Sequence, residues 1–282
     1  MRILITGADG QLGHELQRVL RRHTLVLGIW PEFDLLKPET HSFIVSARPD
    51  VVIHAAAYTD VEGAEREPDL AMAVNGEGTG RVAKAAAEAG ARLICISTDY
   101  VFDGFKGTPY EETDPPDPLN AYGRSKLEGE RQALALRSDA VIVRTSWLYG
   151  PQGKNFVKTI MQRAKESSEL CVVADQRGSP THAGDLAAAI DGLLSQRVQG
   201  IAHATSAGDC TWHEFACAIV ALVGSTVPVR PITTKESRTA VRRPAYSVLA
   251  NRVLAGVGIT LPHWQDALTR FIHDMQAAPV KM

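Results

Sequence analysis

Short apolar runs rich in β-branched residues alternate with longer stretches rich in alanine and leucine through the first two thirds of the chain. The apolar runs predict strands at Arg2–Thr6, Thr24–Gly28, Val51–Ala55, Arg92–Ser97, Ala140–Arg144, Cys171–Val173 and Gly200–Thr205. The stretches between them predict helices at Leu12–Arg22, Pro38–Ala47, Pro68–Ala89, Ala121–Leu136, Phe156–Ala164 and Gly184–Ser195. Apolar strands that alternate with helices are typical of a parallel sheet covered on both faces. The pattern therefore predicts an α/β protein with a doubly wound sheet.

The alternation weakens after about Gly208. The tail is rich in proline, arginine and threonine over Val227–Pro244, and a last helix is predicted near His263–Gln276. We expect this part to form a smaller substrate-binding lobe rather than an independent domain. The expected division gives residues 1–146 plus about 183–205 to a dinucleotide-binding domain, and about 147–182 plus 206–282 to the lobe.

Composition excludes several classes of protein. The 282 residues are 45% hydrophobic and 22% charged, with a formal net charge of -2, so no basic surplus indicates a nucleic-acid or anionic-membrane partner. The four cysteines are scattered without a C-x-x-C pair, which is typical of free thiols in a reducing compartment. The first residues read as a buried strand rather than a signal peptide, and no apolar run is long enough for a membrane span. We therefore expect a cytoplasmic protein.

Three glycines, Gly7, Gly10 and Gly13, follow the first predicted strand and open the first helix. In a Rossmann-type turn, such glycines permit the tight turn, the approach of a pyrophosphate and the close packing of helix on strand. The helix N-terminus then offers free N–H groups to the phosphates. The spacing is G-x-x-G-x-x-G rather than G-x-G-x-x-G, but its position favours dinucleotide binding over a purely structural turn.

The end of the second strand usually selects the cofactor. A carboxylate there binds the ribose of NAD, and an arginine accepts the 2′-phosphate of NADP. Here the chain reads Leu27–Asp34, with Ile29 where such a residue would stand, while Glu32 is a weak candidate and Trp30 is placed to stack on adenine or to pack. The sequence therefore leaves NADPH and NADH both open as the cofactor.

A tyrosine and a lysine four residues apart, Tyr122 and Lys126, share one face of the predicted helix. A ketone that accepts hydride needs a proton on its oxygen, and a tyrosine can donate it. A nearby ammonium favours the phenolate, so we expect Lys126 to lower the pKa of Tyr122. Thr98 lies at the end of the fourth strand, at the edge where ligands bind in such sheets, and we expect it to polarise the ketone. Without the tyrosine and lysine, Thr98 would read as a turn or a cap.

Several stretches together resemble the extended short-chain dehydrogenases, and specifically the dTDP-4-dehydrorhamnose reductase family. They are 7–13, 50–57, 97–104, 118–126, 144–150, 155–156, 175–181 and 243–249, and they span nearly the whole chain. The resemblance implies hydride transfer from a nicotinamide to C4 of a 4-keto-6-deoxy sugar linked to a nucleotide. Thr98, Tyr122 and Lys126 would be the catalytic residues.

The resemblance and the glycine turn together predict the binding residues. The cofactor would be contacted by Gly7, Gly10, Gln11, Leu12, Gly13, Asp34, Leu35, Ala55, Ala56, Ala57, Tyr58, Thr59, Tyr122 and Lys126. The sugar nucleotide would be contacted by Val61, Thr98, Asp99, Tyr100, Trp147, Asn155 and Arg243. Arg242 and Arg243 suit a diphosphate because a guanidinium binds phosphate in a bidentate manner, although a solvated basic turn explains the pair equally well. No residue spacing indicates a catalytic metal.

Two departures from the family pattern concern the sugar site and the oligomer. Val61–Glu65 stands where the family often has an Asp-Lys pair, which leaves the exact sugar open. Some relatives dimerise through magnesium bound by a glutamate early in the first helix, where this chain has Glu15. The other ligands have no match, so we expect a solvated surface glutamate and either a monomer or a homodimer. His54 and His203 are expected to be packed histidines, and His182 structural or adjacent to the substrate.

Three alternatives to a reductase share the fold. A 4,6-dehydratase needs an acid and a base and usually carries Thr-Asp-Glu after the fourth strand, whereas this chain has Tyr100 in the third position. An epimerase typically has a longer second lobe. A non-catalytic regulator, such as the β subunit of methionine adenosyltransferase, would bind a dinucleotide without needing Thr98, Tyr122 and Lys126.

Overall fold

The computed structural model describes residues 1–237 and 239–277, so position 238 and the end of the predicted substrate lobe, 278–282, lie outside the described residues. A six-stranded parallel sheet forms the centre, in the order β10-β5-β4-β3-β1-β2. Its strands are β1 (Arg2–Thr6), β2 (Thr24–Gly28), β3 (Val51–His54), β4 (Arg92–Thr98), β5 (Val141–Thr145) and β10 (Gly200–His203). All six were predicted within about one or two residues, and the doubly wound Rossmann-type fold is confirmed.

The remaining strands are short and pair outside the central sheet. They are β6 (Leu148–Tyr149), β7 (Leu170–Val173), β8 (Arg177–Gly178), β9 (Thr181–His182), β11 (Cys210–Thr211) and β12 (Val229–Ile232). The helices are α1 (Gln11–Val19), α2 (Glu39–Ala47), α3 (Val61–Arg66), α4 (Pro68–Ala71), α5 (Gly78–Glu88), α6 (Ala121–Leu136), α7 (Phe156–Glu166), α8 (Ala183–Leu194), α9 (Trp212–Leu222), α10 (Arg252–Gly256) and α11 (Trp264–Ala277).

The strand order reverses beside β1, which places a crevice at the carboxyl ends of β1 and β3. After β1 the chain adds β2 on one side and later β3 on the other, and both pair with it in parallel register. Thr6 therefore lies opposite Gly28 and His54, at the last position of each strand. Ligands of open α/β sheets bind outside such a switch point, so the topology positions a site between the loops that follow these strands.

Two apolar clusters cover the faces of the sheet. One packs α1 and α8 against β1 and β5, and the other packs α2, α5 and α6 against β3 and β4. Burial of each large aliphatic side chain in such clusters stabilises the fold by about 1.5–3 kcal/mol. Both clusters contain side chains of the central strands, so these strands are buried on both faces, as their continuous apolar sequences predicted.

The single helix predicted over Pro68–Ala89 is wrong in detail. The structure has α4, then a π-helical segment at Met72–Glu77, then α5. Asn75 lies in the wider π turns, and its side chain holds the backbone of Tyr58 and the hydroxyl of Ser125 on α6. π-helical turns inside helices are frequent at functional sites, and this one fixes a loop beside the crevice. Helical periodicity alone carries no signal for the extra residue.

A third apolar cluster lies apart from the sheet and joins α7, α9 and α11 with β7. A capping box formed by Thr211 and Glu214 begins α9. The division into a dinucleotide-binding domain and a smaller lobe stays a prediction. Within the described ranges, none of the helices combines the length and the apolar character that a bilayer crossing requires.

Candidate active site

A cavity of about 940 Å³ opens at the carboxyl ends of the central strands. It is lined by nineteen of the residues predicted from the sequence: Gly7, Gly10, Gln11, Leu12, Gly13, Asp34, Leu35, Ala55, Ala56, Ala57, Thr59, Val61, Thr98, Asp99, Tyr100, Tyr122, Lys126, Trp147 and Arg243. The structure thus brings together residues that lie far apart in the chain. Two predicted residues, Tyr58 and Asn155, are absent from this lining.

The glycine turn is packed so closely that side chains are excluded. A Cβ on Gly7 would lie 2.7 Å from the backbone of Ala56, and Gly7 has a positive φ of 66°. A Cβ on Gly13 would lie 2.2 Å from the carbonyl oxygen of Gly7. Gly10, at the N-cap of α1, has no side chain to cap the helix. The first N–H groups of α1 therefore face the cavity, as an anion such as a pyrophosphate requires.

The opposite end of this crevice, beside β2, has no cationic lining. The described residues that line it between positions 28 and 36 are Gly28, Trp30, Phe33, Asp34, Leu35 and Leu36. Asp34 accepts a hydrogen bond from the Leu36 N–H (2.9 Å), and the Trp30 side chain is largely exposed. Neither an arginine for a 2′-phosphate nor a carboxylate at the strand end itself is placed here.

Tyr58 and Asn155 act through their neighbours. The Tyr58 backbone is held by Asn75, with hydrogen bonds of 2.8 and 3.0 Å, and the ring packs against α3 and α4 rather than into the cavity. Asn155 accepts from the Lys158 N–H as the cap of α7, and its amide donates to the side chain of Gln11 (2.9 Å). Both residues therefore position the lining instead of forming it.

The predicted catalytic residues meet at the end of β4. The hydroxyl of Thr98 lies beside the Tyr122 phenol and opposes the rise of its pKa, and the ring of Tyr100 packs edge-on against that of Tyr122 at 5.8 Å. Lys126 lies one turn further along α6, where its Nζ donates to the carbonyl of Ile96 at 2.7 Å. Asn120 caps α6 by accepting from the Gly123 N–H, which begins the helix just before Tyr122.

The pKa of Tyr122 differs from the sequence-based expectation. Burial raises the pKa of this phenol, the carboxyl of Asp99 and the ring of Tyr100 add to the rise, and the Thr98 hydroxyl acts against it. Lys126 is not among the causes of this shift; its Nζ donates to the carbonyl of Ile96, and burial lowers the pKa of Lys126 itself. The phenol is therefore held protonated at neutral pH, in the state that a proton donor requires.

A buried ion pair supports the catalytic helix from behind. Glu130 on α6 accepts two hydrogen bonds from Arg144 on β5, at 2.9 and 2.6 Å, and a third from Ser97 on β4. Both charged side chains are less than 5% exposed. The two charges pair with each other in the interior, and together with the Ser97 hydrogen bond they tie α6 to β4 and β5 near Lys126.

Asp99 and Tyr100 lie in a short 3₁₀ turn directly after β4. Burial raises the pKa of Asp99 to about 7, although the hydroxyls of Ser247 and Thr98 lower it again in part. Burial also raises the pKa of Tyr100 to about 12, opposed by the neighbouring guanidinium of Arg243. Arg243 in turn binds Glu62 at 3.1 Å, and its buried Nε has no hydrogen-bond partner among the residues that the structure describes. A free N–H donor of this kind suits a phosphate oxygen.

The lobe contributes an aromatic stack that the sequence did not predict. Trp147 lies parallel to Trp212 of α9, with ring centroids 3.5 Å apart and planes 7° apart, and Phe156 packs against Trp212. Trp147 has a positive φ of 46°, and Gly178 leaves room for its indole. Trp212 and Lys154 line the cavity but carry no motif in the sequence. Trp212 can be identified as a site residue only from the fold, because its one link to the predicted site is the stack on Trp147.

The expectation of a solvated Glu15 is wrong. Its side chain is 8% exposed and binds Arg18 at 2.7 Å, one turn along α1. The histidines behave as predicted: His54 is buried between the hydroxyls of Thr6 and Thr79, and His203 has no exposed surface. His182 lies 3.5 Å from Asp185 and packs against aromatic rings outside the cavity.

Comparison with known proteins gives matches along the whole chain. The family described as RmlD substrate binding domain matches residues 1–277. The chain is 44% identical to a dTDP-4-dehydrorhamnose reductase of Burkholderia thailandensis, over 98% of this chain and 99% of the relative. It is 42% identical to the spore coat polysaccharide biosynthesis protein SpsK of Bacillus subtilis, with the same coverage. The structure matches that of Bacillus anthracis dTDP-4-dehydrorhamnose reductase in complex with NADP, with a TM-score of 0.94, 40% identity, and 97% and 99% coverage.

Proposed function

Since the chain belongs to the RmlD substrate binding domain family, we propose that it is an oxidoreductase that reduces the 4-keto group of a dTDP-linked 6-deoxy sugar with NADPH or NADH. Membership confirms the family resemblance inferred from the sequence motifs. The observation that carries the proposal is the convergence of Thr98, Tyr122 and Lys126 in one cavity with the glycine turn. Relatives covering nearly the whole chain are named dTDP-4-dehydrorhamnose reductase.

The residues of the crevice fit a nicotinamide dinucleotide. Gly7, Gly10 and Gly13 form a cradle that a Cβ would fill, and α1 opens with uncapped N–H groups. Asp34 and Leu35 would hold the adenosine end, while Lys126 and Tyr122 lie at the nicotinamide end. The reduced nicotinamide, when bound, supplies the hydride.

The protein's own groups then handle the proton. Tyr122, kept protonated by burial, donates its phenolic proton to the oxygen of the carbonyl as hydride reaches C4. Thr98 lines the cavity beside that phenol, and its hydroxyl donates a hydrogen bond to the same carbonyl oxygen, which polarises the ketone. Trp147, Trp212 and Arg243 would hold the sugar nucleotide on the lobe side, with the guanidinium against the diphosphate. The ketone is thereby oriented towards Tyr122.

The test is nicotinamide absorbance while the purified protein is mixed with a dTDP-4-keto-6-deoxy sugar and either NADPH or NADH. We expect stoichiometric loss of the reduced-nicotinamide band with both cofactors. No described residue that lines the β2 end of the cavity selects for the 2′-position of the ribose. The KM values for NADPH and NADH should therefore differ by less than about tenfold, which is the discrimination that one hydrogen bond provides. Dinucleotide binding without oxidation would contradict the reductase and support a regulatory subunit.

The partner and the location follow the same proposal. The partner is a nucleotide sugar rather than nucleic acid or membrane, because the cavity carries local cations on a chain of net charge -2. The four free cysteines support a reducing, cytoplasmic setting. We propose a monomer or a homodimer, to be distinguished by light scattering coupled to gel filtration.

A further inference from the structure

The Thr98 hydroxyl lies between the Tyr122 phenol and the buried carboxyl of Asp99. It accepts a hydrogen bond from the Tyr100 N–H at 3.2 Å and donates one to Asp99 Oδ1 at 3.1 Å. A hydroxyl has one proton to donate and two lone pairs that accept. Thr98 therefore cannot donate to Asp99 and to a substrate ketone at the same time.

Asp99 is buried in a way that disfavours a fixed negative charge. The residue is 2% exposed, and its Oδ2 is closed off from solvent with no hydrogen-bond partner among the described residues. An ionised carboxylate in such a place loses its hydration without full compensation. The pKa of Asp99 is accordingly raised to about 7, with burial as the main cause.

The groups around Asp99 come from four elements. Tyr100 adjoins it in the 3₁₀ turn, Tyr122 faces it from α6, and Ser247 contacts it from the C-terminal segment. Arg243 and Glu62 lie behind Tyr100. The pKa values of both tyrosines are raised, so they stay protonated at neutral pH. Lys126, whose pKa burial lowers, is the other titrating group of the site, and the test below separates the two.

Resting on the proposed reductase function, we propose that Asp99 is a positioning residue whose protonation decides where the Thr98 hydroxyl donates. When Asp99 is neutral, its own O–H donates to Thr98 Oγ1, and the Thr98 proton is free for the ketone oxygen. When Asp99 is ionised, Thr98 donates to Oδ1, and the ketone keeps only the Tyr122 donor. The overall reaction is unchanged: hydride goes to C4, the Tyr122 proton goes to the oxygen, and the Asp99 proton is not consumed.

The experiment is the pH profile of kcat for the wild type and Asp99→Asn at saturating substrate and cofactor. In the wild type kcat should fall about tenfold as pH rises through 7. Loss of a complete oxyanion donor lowers kcat by about 10²–10³-fold, and the Thr98 donor accounts for a part of that effect. In Asp99→Asn the amide N–H donates permanently to Thr98, so kcat should stay level across this pH range. If Asp99→Asn is active and its kcat still falls as pH rises through 7, the proposal is overturned, and that fall would be assigned to Lys126.

A second measurement does not depend on turnover. Infrared difference spectra of the unliganded protein should show a carboxyl band that titrates near pH 7 in the wild type and is missing in Asp99→Asn. A wild-type spectrum without such a band overturns the proposal directly. If the wild type oxidises no nicotinamide at any pH, both the proposed function and this inference are overturned. If Asp99→Asn is active and shows the same fall of kcat with pH as the wild type, only this inference is overturned. Thermal melts and dinucleotide titrations verify that the variant is folded.

Discussion

The chemistry of single residues here depends on what burial does to their protons. Burial keeps Tyr122 and Tyr100 as neutral phenols, and it raises the pKa of Asp99 to about 7, because the groups around each side chain exclude water. The Tyr-x-x-x-Lys spacing predicts which groups meet, but the sign of the Tyr122 shift is set by desolvation rather than by Lys126. The lysine instead anchors α6 to the β4 carbonyl of Ile96.

Removing the Tyr122 hydroxyl should stop the chemistry without emptying the site. We expect Tyr122→Phe to lower kcat by about 10²–10⁴-fold, since a general acid contributes that much. The dinucleotide Kd should change little, because the glycine cradle is untouched. Stopped-flow absorbance and fluorescence titration measure the two quantities. Tyr246→Phe, which alters a tyrosine packed outside the cavity, is the matched control, and full activity of Tyr122→Phe would contradict the assignment.

At the scale of elements, the site depends on how closely α1 and α9 approach their neighbours. The first turn of α1 lies against the β1 loop with no space for a methyl group at Gly13. The first turn of α9 presents Trp212 to Trp147, which stands between β5 and β6 in a left-handed conformation. Each helix therefore brings one end to the cavity while its body packs in a separate core.

A methyl group at Gly13 should separate α1 from the cofactor loop. The added Cβ would lie 2.2 Å from the Gly7 carbonyl, and backbone atoms there cannot move aside cheaply. We expect Gly13→Ala to lower the free energy of unfolding by about 1–3 kcal/mol, as overpacking does, and to weaken dinucleotide binding. Urea denaturation and fluorescence titration measure both. Gly256→Ala, whose Cβ would meet no atom within 4 Å, is the control and should not destabilise.

Shortening Trp212 should affect the sugar nucleotide more than the dinucleotide. Trp212→Ala removes the stacking partner of Trp147, an interaction worth about 0.5–1.5 kcal/mol beyond its buried area. We expect KM for the sugar nucleotide to rise by about tenfold, which corresponds to 1.4 kcal/mol, with an unchanged dinucleotide Kd. Trp212→Phe keeps a stacked ring and should restore most of the affinity. Equal losses for both ligands would place Trp212 in general support of the fold.

For the whole molecule, the parallel sheet collects the reactive groups and also buries histidines that acid can charge. His54 and His203 both end central strands, and burial lowers the pKa of each to about 3. Their pKa in the unfolded chain is about 6.5. A lowered native pKa means that the unfolded state binds more protons, so the stability is fully present above pH 6.5 and is lost as pH falls from 6.5 towards 3.

Mild acid should therefore destabilise the protein through these two histidines. At pH 5 each costs about 2 kcal/mol relative to neutral pH, from the gap between pH 5 and the unfolded pKa. Because the raised pKa of Asp99 stabilises the fold over the same range and offsets part of this loss, the loss is measured by urea denaturation of Asp99→Asn at pH 7 and pH 5, and adding His54→Asn should remove about half of it. His273→Gln, at a side chain that is 81% exposed, should leave the pH dependence unchanged. Equal stability at both pH values would argue against the buried, neutral histidines.

The sequence by itself determined the class of fold and the glycine turn, and it predicted which residues meet in the cavity. Alternating apolar strands and helices, and spacings within one turn such as Tyr122 to Lys126, are local properties that follow from chain geometry. The tertiary structure alone decided what depends on distant neighbours. Trp212 lies at the site because it stacks on Trp147, which is 65 residues earlier in the chain. Glu15 is buried where α1 packs beside α8. The π-helical turn places the Asn75 side chain in contact with Tyr58 and Ser125. The pKa values of Tyr122 and Asp99 belong to this second group, because desolvation depends on every element that covers a residue.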